Sequence, residues 1–188
     1  MGKKFDPDDA ARLESPERAA SMPPERTLRR LGVRRGMTFA DVGAGTGFFT
    51  LAAADLVGPE GRVYALDVEE RMLAKLRAKG PPPWVETALC GEGRLPLPDG
   101  TADFAFSCFV FHEAADPEGF LREMGRVAKR RAPVVVLEWA KRRQPEGPPF
   151  AERIHHHELE RMVLCAGLAF RRLEFFNPSQ YAVWAFRR

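Results

Sequence analysis

The stretch Asp41-Val42-Gly43-Ala44-Gly45-Thr46-Gly47 carries three glycines at alternate positions. Without side chains at Gly43, Gly45 and Gly47 the backbone can turn sharply and come close to a ligand. Dinucleotide sites use G-x-G-x-x-G, in which the third glycine leaves a helix N-terminus open to a pyrophosphate. Here position 48 is Phe, so the spacing favours a nucleoside-bearing ligand without that group. A second cluster, His155-His156-His157, has metal-binding side chains. Neighbours in a helix point apart, however, and zinc wants i, i+4 spacing with further ligands. No metal site is expected there; surface or pocket histidines are. Cys108 reads as a small buried hydrophobe.

The elements that must position the glycine turn follow from the periodicity. Thr38–Val42 reads as a short strand and Phe48–Ala54 as a helix closed by Gly58-Pro59. Arg62–Leu66 is the next strand. A helix follows with Glu69 and Glu70 in its first turn and Arg77 and Lys79 in its last, charges that complement the helix dipole. Trp84–Leu89 gives a third strand. Asp103–Phe109 gives a fourth, apolar almost throughout, as a buried central strand should be. Asp116-Pro117 caps a helix bearing Phe120, Met124 and Val127 on one face. Pro133–Leu137 is a fifth strand, and Leu159, Met162, Val163 and Ala166 form the stripe of a further helix. Strands near 168–175 and 181–186 close the chain with no helix between them, which predicts antiparallel pairing. Alternating strands and helices through the first two-thirds predict an α/β fold, a mainly parallel sheet with helices on both faces. Ligands in such sheets lie beyond the carboxyl ends of the strands, where the glycine turn falls.

Composition narrows the class. The 188 residues fit one domain with a full core. The division expected is a helical cap segment over residues 1–36, where Pro23-Pro24-Glu25 opens a short helix ended by Gly32, and a ligand-binding domain over 37–188. An apolar share of 45% and a charged share of 29% are those of a soluble globular protein. No apolar run approaches the roughly 20 residues of a membrane span, and Lys3 and Lys4 are not followed by a signal-like stretch. Cys90, Cys108 and Cys165 are too few and too far apart for a disulfide frame. The expectation is a cytoplasmic protein without membrane contact. Net charge is +3, and the arginine doublets are interleaved with acids, which reads as a solvated surface rather than an RNA-binding face. Scarce Asn and Gln with abundant Arg and Pro match a thermophile-like bias.

The stretch Thr38–Thr50 resembles motif I of the class I S-adenosylmethionine-dependent methyltransferases. Leu66-Asp67-Val68 looks like motif II, whose acid accepts hydrogen bonds from both ribose hydroxyls. A carboxylate suits a vicinal diol because each oxygen can accept one donor, and Asp67 follows the glycines at about the 20-residue spacing such a role requires. Leu89–Asp99 resembles the family's "GDA..LP.PD" segment, with Glu92 in place of the Asp near the adenine. Phe109–Glu113 resembles "VLHH", and Phe120–Lys129 resembles "FL.E..RVLK". The expected Lys-Pro-Gly-Gly turn is replaced by Lys129-Arg130-Arg131-Ala132. The resemblance spans residue 36 to the end and is closest to the small-molecule group that includes quinone-biosynthesis methyltransferases. It implies a Rossmann-like, seven-stranded, mostly parallel sheet with an antiparallel C-terminal strand pair.

The resemblance also implies S-adenosyl-L-methionine as cofactor, with S-adenosyl-L-homocysteine as product. Its cofactor-binding residues would be Asp41, Gly43, Ala44, Gly45, Thr46, Gly47, Asp67, Val68, Met72, Glu92, Gly93 and Ser107. Of these, Asp41 would orient the donor's amino-acid moiety, and Val68 and Met72 would pack on adenine and ribose. Methyl transfer from a sulfonium gains much of its rate from a held near-attack geometry. A base is needed only where the acceptor must lose a proton. His112 and Glu113, at the carboxyl end of the fourth strand, are the candidates for that role; Glu138 and Trp139 could line the acceptor pocket. The acceptor expected is a small, partly apolar molecule. RNA, or donor binding without catalysis, are the competing readings; neither the acceptor's identity nor the oligomeric state is readable.

Overall fold

The computed structural model describes residue 8 and residues 14–91 and 93–188. They group into two compact units, one running from Phe5 to Gly91 and the other carrying Glu92–Arg188. The strands belong to a seven-stranded sheet.

The first unit opens with two short helices, α1 (Pro16–Ser21) and α2 (Pro24–Leu31), each with proline in its first turn, where a missing N–H costs nothing. The sequence predicts only the second of these. Ser15 caps α1 by accepting from Arg18 N, and Gly32 ends α2 at φ 103°, a left-handed conformation suited to glycine. Strands β1 (Thr38–Val42), β2 (Arg62–Asp67) and β3 (Val85–Leu89) then pair in parallel in the order β3-β2-β1. Their crossovers are α3 (Phe48–Val57), packed on β1 and β2, and α4 (Glu70–Ala78), packed on β2 and β3. The register sets Val42 beside Leu66 and Asp67 beside Leu89. The glycine turn leaving β1 therefore meets the end of β2.

The second unit holds β4 (Phe104–Cys108), β5 (Pro133–Trp139), β6 (Ala169–Asn177) and β7 (Gln180–Phe186), in the order β4-β5-β7-β6. Strands β4 and β5 are parallel; β7 runs antiparallel to both β5 and β6, as the helix-free C-terminal connection predicts. Every residue of β4 is buried, and truncating Phe104 or Phe106 to Ala would cost about 3–5 kcal/mol. A single 3₁₀ turn (Phe111–Glu113) follows β4, then α5 (Pro117–Val127). In α5, Asp116 caps the helix by accepting from Gly119 N at 2.8 Å. The last helix, α6 (His156–Cys165), packs on α5, β6 and β7. Where the resemblance expects a Gly-Gly turn before β5, Arg131 takes φ 61°, a conformation glycine adopts without strain and arginine does not.

Strand β4 is shorter than the sequence predicts because Phe109 leaves it at φ 59°. For a bulky residue that backbone is an outlier, and such outliers gather at functional sites.

Candidate functional site

The glycine turn is tied down by main-chain bonds to β2. Gly43 N and Ala44 N both donate to the Leu66 carbonyl, at 2.8 and 3.0 Å. Gly45 N donates to Asp67 Oδ2 at 2.7 Å, while Glu69 N donates to Asp67 Oδ1 at 2.9 Å. Gly43, Gly45 and Gly47 all have positive φ, at 80°, 55° and 90°. At Gly47 a Cβ would also come within 2.3 Å of Leu76 Cδ1 on α4. A residue with a side chain would thus strain the turn and push the Leu76 side chain aside.

Two buried acids flank this turn. Asp41 accepts from Thr50 Oγ1 at 2.6 Å. Burial pushes its carboxyl up to about 7; the Thr50 hydrogen bond opposes the shift and the charge of Asp67 adds to it. Asp67 is 8% exposed. Burial raises its carboxyl above the ordinary range, against the pull of the Glu69 and Gly45 N–H groups. A carboxylate has about four acceptor positions, so Asp67 keeps capacity for further donors. Val68 is exposed at 41%, whereas Met72 is 4% exposed on the buried face of α4 with Leu73 and Leu76.

Sequence reasoning missed Lys79. From the end of α4 it donates to the Thr46 carbonyl in the glycine turn at 2.7 Å and pairs with Glu14. The Arg18 guanidinium lies 4.4 Å from the Phe48 ring centroid, at the first residue of α3.

In the second unit, Gly93 is exposed with open space where a Cβ would stand. Ser107 is fully buried in β4, its Oγ without a hydrogen-bond partner among the described residues. Glu92 lies outside the described residues. The Leu95–Asp99 segment is held by two residues of α5, both from the stretch matched to "FL.E..RVLK". Arg126 donates to the Leu95 and Leu97 carbonyls at 2.9 and 2.8 Å and to Asp99 Oδ1 at 2.8 Å. Glu123 pairs with Arg126 and accepts from Leu95 N at 2.8 Å. These motif residues act as a latch on the loop.

At the carboxyl ends of β4 and β5, His112 meets Glu138. His112 Nδ1 lies 3.1 and 3.0 Å from the two Glu138 oxygens. Glu138, 1% exposed, also accepts from the main-chain N–H groups of His112 and Trp139, at 3.3 and 3.1 Å. His112 Nε2 stands 3.8 Å from Glu113 Oε1, beyond a hydrogen bond. Burial disfavours the imidazolium, but the charge and hydrogen bond of Glu138 outweigh it with help from Glu113, and the His112 pKa is raised. The two residues expected to be the base are therefore adjacent, and Glu138 is the partner that sequence spacing did not reveal.

Beside this pair, Trp139 stacks on Phe109 with ring centroids 4.7 Å apart. A Cβ on Gly147 would come within 2.7 Å of the indole, and the Arg153 guanidinium lies 5.7 Å from its ring centroid. Arg153, 2% exposed, holds the intervening loop by donating to the carbonyls of Pro148 (2.9 Å), Arg142 (2.9 Å), Ala140 (3.4 Å) and Glu146.

The histidine triplet sits at the start of α6, where His155 Nδ1 accepts from His157 N. Among the described residues no group of His, Cys, Asp and Glu is arranged to hold a metal ion. From the arginine doublets, Arg29, Arg35 and Arg172 pair with Glu25, Glu60 and Glu174. No helix of the described residues is long and apolar enough to cross a membrane.

Fold and glycine turn together define a Rossmann-like α/β protein of the nucleoside-binding kind. The family model described as a methyltransferase domain matches residues 40–136, and the chain belongs to that family, the S-adenosylmethionine-dependent methyltransferases. A solved S-adenosylmethionine-dependent methyltransferase from Aquifex aeolicus is 36% identical, with a TM-score of 0.93 over 98% of this chain and 100% of that one. A demethylmenaquinone methyltransferase from Geobacillus stearothermophilus is 37% identical over 118 residues, which is 59% of this chain and 49% of that protein. A ubiquinone/menaquinone biosynthesis C-methyltransferase from Enterobacter sp. is 39% identical over 119 residues, 61% of this chain and 47% of that protein. The chain thus spans about half the length of the curated relatives it matches. S-Adenosylmethionine is the cofactor that family membership assigns.

Proposed function

We propose that the chain transfers a methyl group from S-adenosylmethionine to a small, partly apolar acceptor. The observation that carries this reading is the Asp67 carboxylate at the end of β2, fixed by Gly45 N and Glu69 N at the mouth of a three-glycine turn. The residues fit the donor. The turn brings main chain, not side chains, to the carboxyl end of β1, and Asp67 keeps lone pairs for a ribose diol. Gly43, Ala44, Gly45, Thr46 and Gly47 would cradle the donor, Asp41 would orient its amino-acid part through the turn, and exposed Val68 would pack on the adenine. Met72, Glu92, Gly93 and Ser107 complete the proposed set. Met72 would act from the core, shaping the shelf on which Val68 stands.

Bound there, S-adenosylmethionine supplies an electrophilic methyl group on a sulfonium sulfur. The chain's own part is to hold donor and acceptor in line and, through His112 and Glu113, to receive a proton. The relatives' names and the Phe109–Trp139 stack support an aromatic acceptor of the quinol type. Of the expected 1–36 cap segment, residues 1–7 and 9–13 lie outside the described residues; residues 14–36 are proposed as a cap on the donor site, supported by the Arg18–Phe48 and Glu14–Lys79 contacts. A cytoplasmic location is part of the same proposal.

Calorimetry with S-adenosylmethionine and S-adenosylhomocysteine tests the donor site: both should bind the native chain, and Asp67→Ala should bind each far more weakly. Binding of NADH instead, or of none of the three, would sink the reading. Isotope-labelled donor offered with demethylmenaquinol and a panel of small phenols then identifies the acceptor.

A further inference from the structure

His112 and Glu138 are 26 residues apart in the chain, yet both carboxylate oxygens of Glu138 face the imidazole Nδ1. Glu138 is buried and its other bonds come from two main-chain N–H groups. An ionised carboxylate only accepts hydrogen bonds, so Nδ1 must carry a proton whenever Glu138 is charged. That fixes the neutral ring in one tautomer and leaves the lone pair on Nε2. From this geometry we infer that Glu138 is a positioning residue that makes His112 Nε2 the proton acceptor of the methyl transfer. The inference rests on the proposed function and deepens it by restricting the acceptor class. The substrate would carry a dissociable proton on its nucleophilic atom, as in a phenol, an enol or the activated ring carbon of a quinol. Thioethers and tertiary amines, which have no proton to lose, would not use the pair.

In the step assigned, the acceptor's electron pair forms the bond to the methyl carbon while the carbon–sulfur pair remains on sulfur. The proton displaced from the acceptor passes to Nε2. The resulting imidazolium lies between Glu138 at Nδ1 and Glu113 near Nε2, and both carboxylates stabilise it. Glu152 adds a weaker negative charge from the 140–153 loop. Across the sheet, Tyr181 stands opposite Glu138. Its hydroxyl donates to the Ile154 carbonyl at 2.9 Å, and burial raises its pKa further, so it stays neutral. The nearby guanidinium of Arg153 is occupied by main-chain carbonyls.

The test needs no acceptor. Imidazole ¹⁵N NMR of the ligand-free chain should show His112 titrating above the ordinary histidine value, with the neutral ring as the Nδ1–H tautomer. Glu138→Gln should lower that pKa by about 1–3 units, and Glu113→Gln should lower it less. Carbethoxylation mapped by mass spectrometry should modify His112 in the folded protein. Its pH limb should move with the NMR value in Glu138→Gln. Donor binding measured by calorimetry should be unchanged in the same variant, which separates this inference from the donor-site reading. An Nε2–H tautomer, an unmoved titration in Glu138→Gln, or a His112 that resists carbethoxylation while folded would each overturn it. Should Glu138→Gln not fold, Glu138→Asp keeps the charge one methylene further away. It must then give a pKa below the native value, and an unchanged value overturns the inference.

Discussion

The carboxyl ends of β2 and β5 each carry a buried acid, and the two acids are engaged by different partners. Asp67 is held by main-chain N–H groups of the turns on either side of it. Glu138 takes two main-chain N–H groups as well, but its principal partner is the side chain of His112. An acid fixed by backbone keeps its position whatever the nearby side chains are, which suits a binding role repeated across many substrates. An acid fixed by a titratable side chain sets that side chain's proton affinity, which suits chemistry. On the proposed function, the contrast separates two ways of storing a role: donor binding in the path of the chain, proton handling in a pair of residues that only the fold brings together.

Removing the imidazole should break the comparison most severely. His112→Ala is expected to slow turnover about 10²- to 10⁴-fold with the donor dissociation constant unchanged, measured by labelled-methyl transfer and calorimetry; weakened donor binding would show that the two regions are not separate. Next, Asp67→Ala should weaken donor binding by about 2–3 kcal/mol, the scale for losing hydrogen bonds to a charged group. Heat evolved in a titration measures this directly.

A third test separates the acids by pH. Asp41 has its folded-state pKa raised from 3.8 to about 7. The protonated form is favoured in the folded state, so its contribution is full below pH 4 and lost as pH rises through 7. Stability should therefore fall over that window by up to about 1.4 kcal/mol per pH unit. Asp41→Asn, which keeps the acceptor for Thr50, should flatten the slope in urea titrations across pH 4–8. For His112 the same reasoning places its contribution below the ordinary histidine value, with loss as pH rises through the raised one. The smallest effect belongs to neither region: Arg131→Gly should raise stability by about 1 kcal/mol by relieving the left-handed backbone, visible as a higher Tm. No gain there would mean that Arg131 has a compensating contact.

Much of the proposed donor region is legible because its signals are local. Alternate glycines need no distant partner to be read, and Asp67 follows them at a fixed interval set by one helix and one strand. The parallel order and the antiparallel C-terminal pair were likewise implied by the alternation of elements and its end. The second region was less legible. His112 stood out as a residue type, but nothing in its neighbourhood names Glu138, because the pairing depends on β4 and β5 lying side by side. Lys79 looked like a helix-terminal charge, and its bond to the Thr46 carbonyl depends on α4 passing the glycine turn. Arg131 illustrates a different limit. A residue departing from the family's glycine gives no hint whether the turn survives, and here it does, at a strained φ of 61°.

Arg153 has an evolutionary consequence. Its guanidinium grips the 140–148 loop by four carbonyl oxygens, atoms that every amino acid possesses. The grip makes no demand on the side chains of that loop beyond the bare face of Gly147 against Trp139. Mutations along it can therefore change the side chains it exposes without loosening the loop itself. A loop anchored in this way can drift in sequence while the His112–Glu138 contact stays in place.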